Sequence, residues 1–302
     1  MALWLNPCLL QCSDIRQSNR LARWAVYYLV AAINSNKDLK MLNKLDEALD
    51  KYVRPGSFPL SIRMVKKNEE LSERTKRPHR DMGIQVAICQ TFSIARRYGW
   101  QLAVGVEDIN CPLALTAFGF KEELATFTCG EMCAGMFTGT KQAGAATEAQ
   151  LPRFSFGEYQ YILAAPISRA DFLPHLYLVY GNSAQIMRLL TAVLYKKGGY
   201  LTSSFSGRLD CADICIETIR TCRPQVILPC YGDRVFGQTQ DHEMAMTIPA
   251  GVEEDVIAGL EGTHRGGIRY PMPTFLRYTP KYPDHYYKLH KEWEEKEKKN
   301  EG

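Results

Sequence analysis

The stretch "GIQVAICQTFSIARRYGWQLAVGV", residues 83–106, decides how the chain is read. Its first six residues form a short apolar run, which predicts a strand, and "QTFSIARRYG" then changes to a helical period that stops at Gly99. "WQLAVGV" is a second apolar run and predicts a second strand. The same alternation continues downstream. "CPLALTAFG" predicts a helix with Pro112 in its first turn and Gly119 as its stop. "EYQYILAAPI" and "HLYLVYG" predict strands. "NSAQIMRLLTAVLYKKGG" predicts a helix capped by Ser183, with lysines in its last turn and glycines behind it. "YLTSSFSG" predicts a strand, "DCADICIETIRTC" a helix capped by Asp210, "QVILP" and "EMAMTIP" strands, and "GVEEDVIAGLEG" a helix. Short apolar runs interleaved with helices specify an α/β class, with mixed α+β as the variant: a layered sheet with flanking helices.

Outside this core the pattern differs. Residues 13–53 carry Leu21, Trp24, Ala25, Tyr28 and Leu29, and later Leu42, Leu45 and Leu49, at three- and four-residue spacing, so 1–53 is read as an N-terminal helical segment. Residues 54–81 gather Arg63, Lys66, Lys67, Arg74, Lys76, Arg77 and Arg80 and are read as a basic connector diluted by four acidic residues. The α/β core domain is then 82–285, and 286–302 is a charged tail.

Composition narrows the function classes. The 302 residues hold 37 basic and 33 acidic side chains, and a net charge of +4 is too mild to argue for nucleic acid. The longest apolar block, "WAVYYLVAAI", falls well short of the roughly 20 residues a membrane helix needs, and "MALWLNPCLLQCSD" shows neither a basic leader nor a small-residue cleavage pattern. These features predict a cytoplasmic protein. In a reducing compartment its ten cysteines are thiols, metal ligands or redox groups rather than disulfides.

The position of those thiols carries the chemistry. In "QVILPCYGDRVFG", residues 225–237, the apolar run ends at Pro229 and delivers Cys230 into a polar turn, where proteins mount reactive groups. Cys89, Cys111 and Cys211 likewise fall at element ends, and in a layered α/β arrangement such ends converge along one sheet edge. Four thiolates suit a [4Fe–4S] cluster or, alternatively, a tetrahedral zinc. The spacings of about twenty, a hundred and twenty residues lack the compact CxxC pairs of a zinc ribbon, and four buried core thiols are the bland alternative. Three CxxxC pairs compete: Cys8 with Cys12, Cys129 with Cys133, and Cys211 with Cys215. Cys129 and Cys133 are the best substitutes, whereas Cys215 and Cys222 read as packing residues.

Polar groups cluster near these thiols. Asp233 and Arg234 follow Cys230 directly, the Arg as a clamp for an anionic group and the pair as candidate catalytic residues. Asn182 and Gln185 stand at a strand-to-helix turn whose free N–H groups suit an anion, and Arg208 lies beside Cys211 with Gly207 available for close approach. GxGxxG, GxxxxGK[ST], GxSxG and HxxxH are all absent from the sequence, which removes the strongest cues for dinucleotide, nucleotide, serine-hydrolase and zinc-protease chemistry.

Taken together, "ICQTFSIARRYGW", "EDINCPLALTAFGF", "VYGNSAQIMRLLTAVLYKKGG", "DCADICIETI", "LPCYGDRVFGQTQDHEMAMTIPA" and "RYPMPTF" resemble the domain of unknown function 169, or archaeal conserved region, family over residues 45–290. The resemblance implies no activity. It implies that the family's motif cysteines correspond to Cys89, Cys111, Cys211 and Cys230, and that a proline usual in the family is replaced here by Ser183.

The expectation is therefore an iron–sulfur protein serving reductive or electron-transfer chemistry on a small anion, as a reductase or lyase, with an electron-donor protein as partner. Aromatic-rich ends such as "RWAVYYL" and "KYPDHYYKLHKEW" make a homodimer a further expectation. Two alternatives come from other classes: a ligand-binding or regulatory module with structural zinc or free thiols, and an enzyme with Cys230 as nucleophile and His242 as base.

Overall fold

The computed structural model describes residues 35–269 and 284–300. The chain divides into two units, Met1–Tyr270 and Pro271–Gly302. In the first, helix α1 (Ser35–Tyr52) leads to strand β1 (Leu60–Val65) and a single π-turn at Pro78–Met82. Helix α2 (Ile88–Tyr98), strand β2 (Leu102–Val104) and helix α3 (Pro112–Ala117) follow. Then come the short α4 (Ala125–Thr128), α5 (Lys141–Gln150), β3 (Tyr161–Pro166), β4 (Leu176–Asn182) and α6 (Ser183–Leu194). Helix α7 is α-helical over Asp210–Ala212, π-wound over Asp213–Glu217 and α-helical again over Thr218–Thr221. Strand β5 (Gln225–Ile227), helix α8 (Tyr231–Val235), strand β6 (Glu243–Pro249) and helix α9 (Glu253–Arg265) complete the unit. The second unit holds α10 (Asp284–Asn300).

The six strands form one sheet in the order β2-β3-β1-β4-β6-β5, and every ladder is antiparallel. Leu60 pairs with Pro166 on one side and Leu178 on the other, so β1 lies inside the sheet. This places a buried strand within the stretch read as a basic connector: the charges of 54–81 flank "LSIRMV" rather than replace it. Two predicted strands do not form. In "GIQVAI" only Val86 makes a bridge, to Ile109, before the chain enters α2, and "YLTSSFSG" runs without strand or helix. β-Branched and aromatic residues read alike in a strand and in an extended segment packed on a core.

Alternation along the strands divides the interior. Leu60, Ile62, Met64, Ile162, Leu176, Leu178 and Tyr180 face a core completed by Ile88 and Phe92 of α2, Leu115 of α3 and Ile214 and Cys215 of α7. Tyr177, Val179, Met246 and Ile248 face the other side, against Leu42, Leu45 and Leu49 of α1, Ile186 and Leu189 of α6 and Val256 and Leu260 of α9. The result is a sheet with helices on both faces, which is why β4 is buried at six of its seven positions. The helical segment read at 13–53 is described from Ser35 onward; its earlier part lies outside the described residues. Among the described residues no helix is long and apolar enough to cross a membrane.

A candidate four-thiol centre

The thiols meet on the sheet face that carries α2, α3 and α7, and the local sequence explains how. Residues just before α2 and α3 run side by side: Val86 N–H donates to Asp108 O at 2.8 Å, and Asn110 N–H to Val86 O at 3.2 Å. Each segment then turns into a helix, Cys89 becoming the second residue of α2 and Cys111 the residue that caps α3, with Pro112 behind it. Across the face, Cys211 is the second residue of α7, and Cys230 caps α8. Helix α8 packs on α2, where Cys89 Sγ donates to Gly232 O at 3.6 Å, and α3 packs on α7. Four helix beginnings, from four stretches far apart in sequence, thus face one another.

Cys89 and Cys211 each feel the other thiols electrostatically. Burial first, and then Asp233, Asp210, Cys230 and Cys111 in turn, push the Cys89 thiol up. Burial, Asp210, Cys111, Cys230 and Cys89 push up Cys211. Burial and Asp210 raise Cys230 to about 12. Cys89, Cys211 and Cys230 are buried and Cys111 is half-buried. Among the described residues, no group of three or more His, Cys, Asp and Glu side chains is drawn together tightly enough to hold a single ion. Zinc–sulfur bonds of about 2.3 Å in a tetrahedron require sulfurs within about 4 Å of one another. A cubane cluster carries its ligands on four corners, spaced more widely.

Beside the thiols lies a buried acidic network. Asp210 does not cap α7; Leu209 holds the cap position, and no side-chain cap bond forms. Its carboxyl instead accepts from Cys230 N–H at 3.2 Å and from the Cys230 thiol at 3.1 Å. It also hydrogen-bonds Asp233, and burial together with that neighbouring carboxyl holds it far above the usual carboxylate range. Asp233 accepts from Tyr180 Oη at 3.0 Å and Thr239 Oγ1 at 2.9 Å. The Arg96 guanidinium lies 4.1 Å from the Tyr180 ring centre and grips Glu243 at 2.6 and 3.1 Å. Sequence reasoning found Asp233 but missed Tyr180, Arg96 and the role of Asp210. Tyr180 and Arg96 sit at ordinary core-facing positions, and only the fold aims them at this point.

The other predicted groups have local employment. Arg234 Nη1 donates to Gln240 O at 2.9 Å, closing its own loop. Asn182, not Ser183, caps α6: its Oδ1 accepts from Gln185 N–H at 3.0 Å while Gln185 Oε1 accepts from Asn182 N–H at 2.9 Å. Gln185 Nε2 also donates to the backbone carbonyls of Val53 and Arg54, and of the first-turn N–H groups of α6 that of Gln185 is taken by Asn182. Ser183 is the first helical residue, where proline fits equally well. Arg208 is buried against Glu148. His242 is exposed, and the hydrogen bonds of Cys230 go to Asp210 rather than to it. Cys215 is wholly buried among core side chains, Cys129 is exposed, Cys133 is buried beside Glu148, and Cys8 and Cys12 lie outside the described residues.

All four clustered thiols lie within residues 48–259, the span matched by the DUF169 family, described as uncharacterised ArCR. The chain belongs to this family. A relative, "Uncharacterized protein MJ0308" of Methanocaldococcus jannaschii, is 24% identical over 206 residues, covering 67% of this chain and 86% of that protein. No solved structure matches.

Proposed function

We propose that this DUF169 protein carries an iron–sulfur cluster on Cys89, Cys111, Cys211 and Cys230 and serves reductive or electron-transfer chemistry on a small anionic substrate. The observation that supports this most is the mutual approach of four thiols from four separate helix beginnings. Core packing alone has no reason to select cysteine at all four. The N-terminal ends of α2 and α7 turn positive dipole ends toward a group of thiolates that would carry net negative charge with its irons.

When bound, the cluster would supply one-electron transfer or, with an iron left without a thiolate, a Lewis acid. Cys111, the half-buried member, marks the side from which a substrate or an electron-donor protein would approach. The Asp210 carboxyl hydrogen-bonds the Cys230 thiol, and Tyr180 and Thr239 fix the orientation of Asp233. A homodimer joined through the aromatic residues of α10, where Tyr286, Tyr287 and Trp293 are exposed, belongs to the same proposal.

Anaerobic purification followed by iron and sulfide analysis and a visible absorption spectrum tests the reading. Iron and sulfide should fall in each of the four Cys→Ser variants at Cys89, Cys111, Cys211 and Cys230, and persist in Cys215→Ser and Cys222→Ser. Colourless, iron-free protein from an anaerobic preparation would refute it and favour the ligand-binding module with zinc or free thiols.

A further inference from the structure

The "SFSGRLDC" turn, residues 204–211, hides a second polar group. Gly207 takes φ +71°, and the chain then sends Arg208 into the interior, where its side chain is 1% exposed. Nη1 meets Glu148 Oε1, and the Glu148 side chain is also 1% exposed. Cys133 Sγ donates to the same oxygen at 3.5 Å. The guanidinium carbon stands 5.7 Å from the Phe127 ring centre and 5.6 Å from that of Phe137. Within this enclosure Nε and Nη2 of Arg208, and Oε2 of Glu148, make no hydrogen bond in the structure.

As a purely structural device this is poor. A buried ion pair is worth its desolvation only when the remaining donors and acceptors are also satisfied. The contact uses Nη1 and leaves the side of the guanidinium formed by Nε and Nη2 open, which is the edge that matches a carboxylate or phosphate oxygen pair. Every neighbour named above, Phe127, Cys133, Phe137 and Glu148, belongs to the single stretch 127–148, whereas Arg208 comes from the turn before α7. That stretch forms an outer wall: Leu124, Met132 and Met136 on and beside it are 66%, 44% and 68% exposed, and Gly130 and Gly135 take φ +79° and +81°.

We propose that Arg208 is an oxyanion-binding residue, its Nε–Nη2 edge receiving the carboxylate or phosphate of a small ligand whose apolar body lies between Phe127 and Phe137. Glu148 is an internal competitor for the same guanidinium, and an entering anion displaces it. Arg208 stands three residues before Cys211, so the site deepens the function proposed above by naming the anchor and class of its substrate; it rests on that reading only for the use to which the anion is put.

Binding is measured on the full chain by calorimetry and thermal shift with benzoate and with inorganic phosphate, against sodium chloride at matched ionic strength. It is done on both metal-free, reduced protein and anaerobically prepared protein. Saturable binding of either probe is expected, weakened at least about tenfold by Arg208→Lys, which loses the fork, and tightened about tenfold by Glu148→Gln, which removes the competing charge. Glu148→Gln carries a readout that does not depend on the folding of Arg208→Lys. Alkylation of Cys133, located by mass spectrometry, should quicken in that variant and slow when benzoate fills the site. Equal responses to probe and chloride in all proteins, or an affinity and a Cys133 rate unchanged in Glu148→Gln, would overturn the proposal. Anion binding by protein that never acquires iron would uphold this site while refuting the cluster.

Discussion

Replacing Glu243 by Gln removes one charge from a nearly isosteric site and leaves Arg96 buried without its counter-ion. Arg96 is 2% exposed, and its two terminal nitrogens contact both carboxylate oxygens at 2.6 and 3.1 Å, with Thr239 Oγ1 at 3.3 Å and Ser57 Oγ at 3.1 Å as neutral partners. Breaking a buried ion pair by removing one partner costs about 3–5 kcal/mol. The Glu243 side chain keeps 14% exposure and Arg96 retains its hydroxyl partners and the Tyr180 ring, so the expected loss is at the lower end, about 3 kcal/mol. The pH dependence is fixed by sign. Burial by itself would raise the Glu243 pKa, but the bonds from Arg96 and from the Gln240 N–H bring it below its ordinary value. A carboxylate depressed in the folded state contributes stability that is present above its unfolded value, about 4.3, and is lost as pH falls through the folded value. Urea unfolding followed by tryptophan fluorescence should therefore show Glu243→Gln less stable than the parent by about 3 kcal/mol at pH 7, the gap closing below pH of about 4. The double variant Arg96→Met/Glu243→Gln should recover part of the loss of the single one. A loss under about 1 kcal/mol at pH 7, or a gap that persists unchanged at pH 3, would refute the assignment of this pair as a buried support for Tyr180.

Three further outcomes follow from the same structure. Because burial pushes the Cys89, Cys211 and Cys230 thiols up, they are protonated before metal arrives. Iron loading in weakly buffered solution should release protons, and apparent affinity should rise with pH; indicator-dye titration showing no release would contradict this. A Cβ at Gly144 would stand 2.5 Å from Gly130 O and 2.8 Å from Cys133 Cβ, so Gly144→Ala should loosen the outer wall and accelerate Cys133 alkylation while leaving Cys215 unreactive. The His175 ring accepts Met64 N–H at 3.1 Å, and burial together with Arg63 and Lys66 depresses its pKa to about 3. A histidine kept neutral in the folded state contributes stability that is full above its unfolded value of about 6.5 and declines as pH falls toward 3; His175→Gln should flatten that acid limb in denaturation curves.

Local pattern carried the elements whose ends are marked by chemistry within a few residues. Pro112 and Gly119 bracketed α3, the lysines and glycines after Leu194 closed α6, and the apolar period of "DVIAGL" set α9. It failed where two conformations bury the same side chains: "GIQVAI" became an extended lead-in to α2, and "LSIRMV" was obscured by the charges around it. Cap identity was misread by one residue at both Asn182 and Leu209, because Asn, Ser and Asp are all good caps and only backbone direction chooses among them.

Sequence by itself determined that thiols would stand at element ends, since proline, glycine and polar turns beside Cys111 and Cys230 are local signals. What only tertiary structure decided is that those ends meet. The expected route was the gathering of element ends along one edge of a layered α/β sheet, and in this antiparallel sheet successive strand ends alternate between the two edges. Convergence comes instead from a bridge between Val86 and Ile109 and from the packing of α8 on α2 and α3 on α7. These contacts join residues tens to more than a hundred positions apart, and their free energy comes from burying a shared face of the sheet, a quantity no short window of sequence contains.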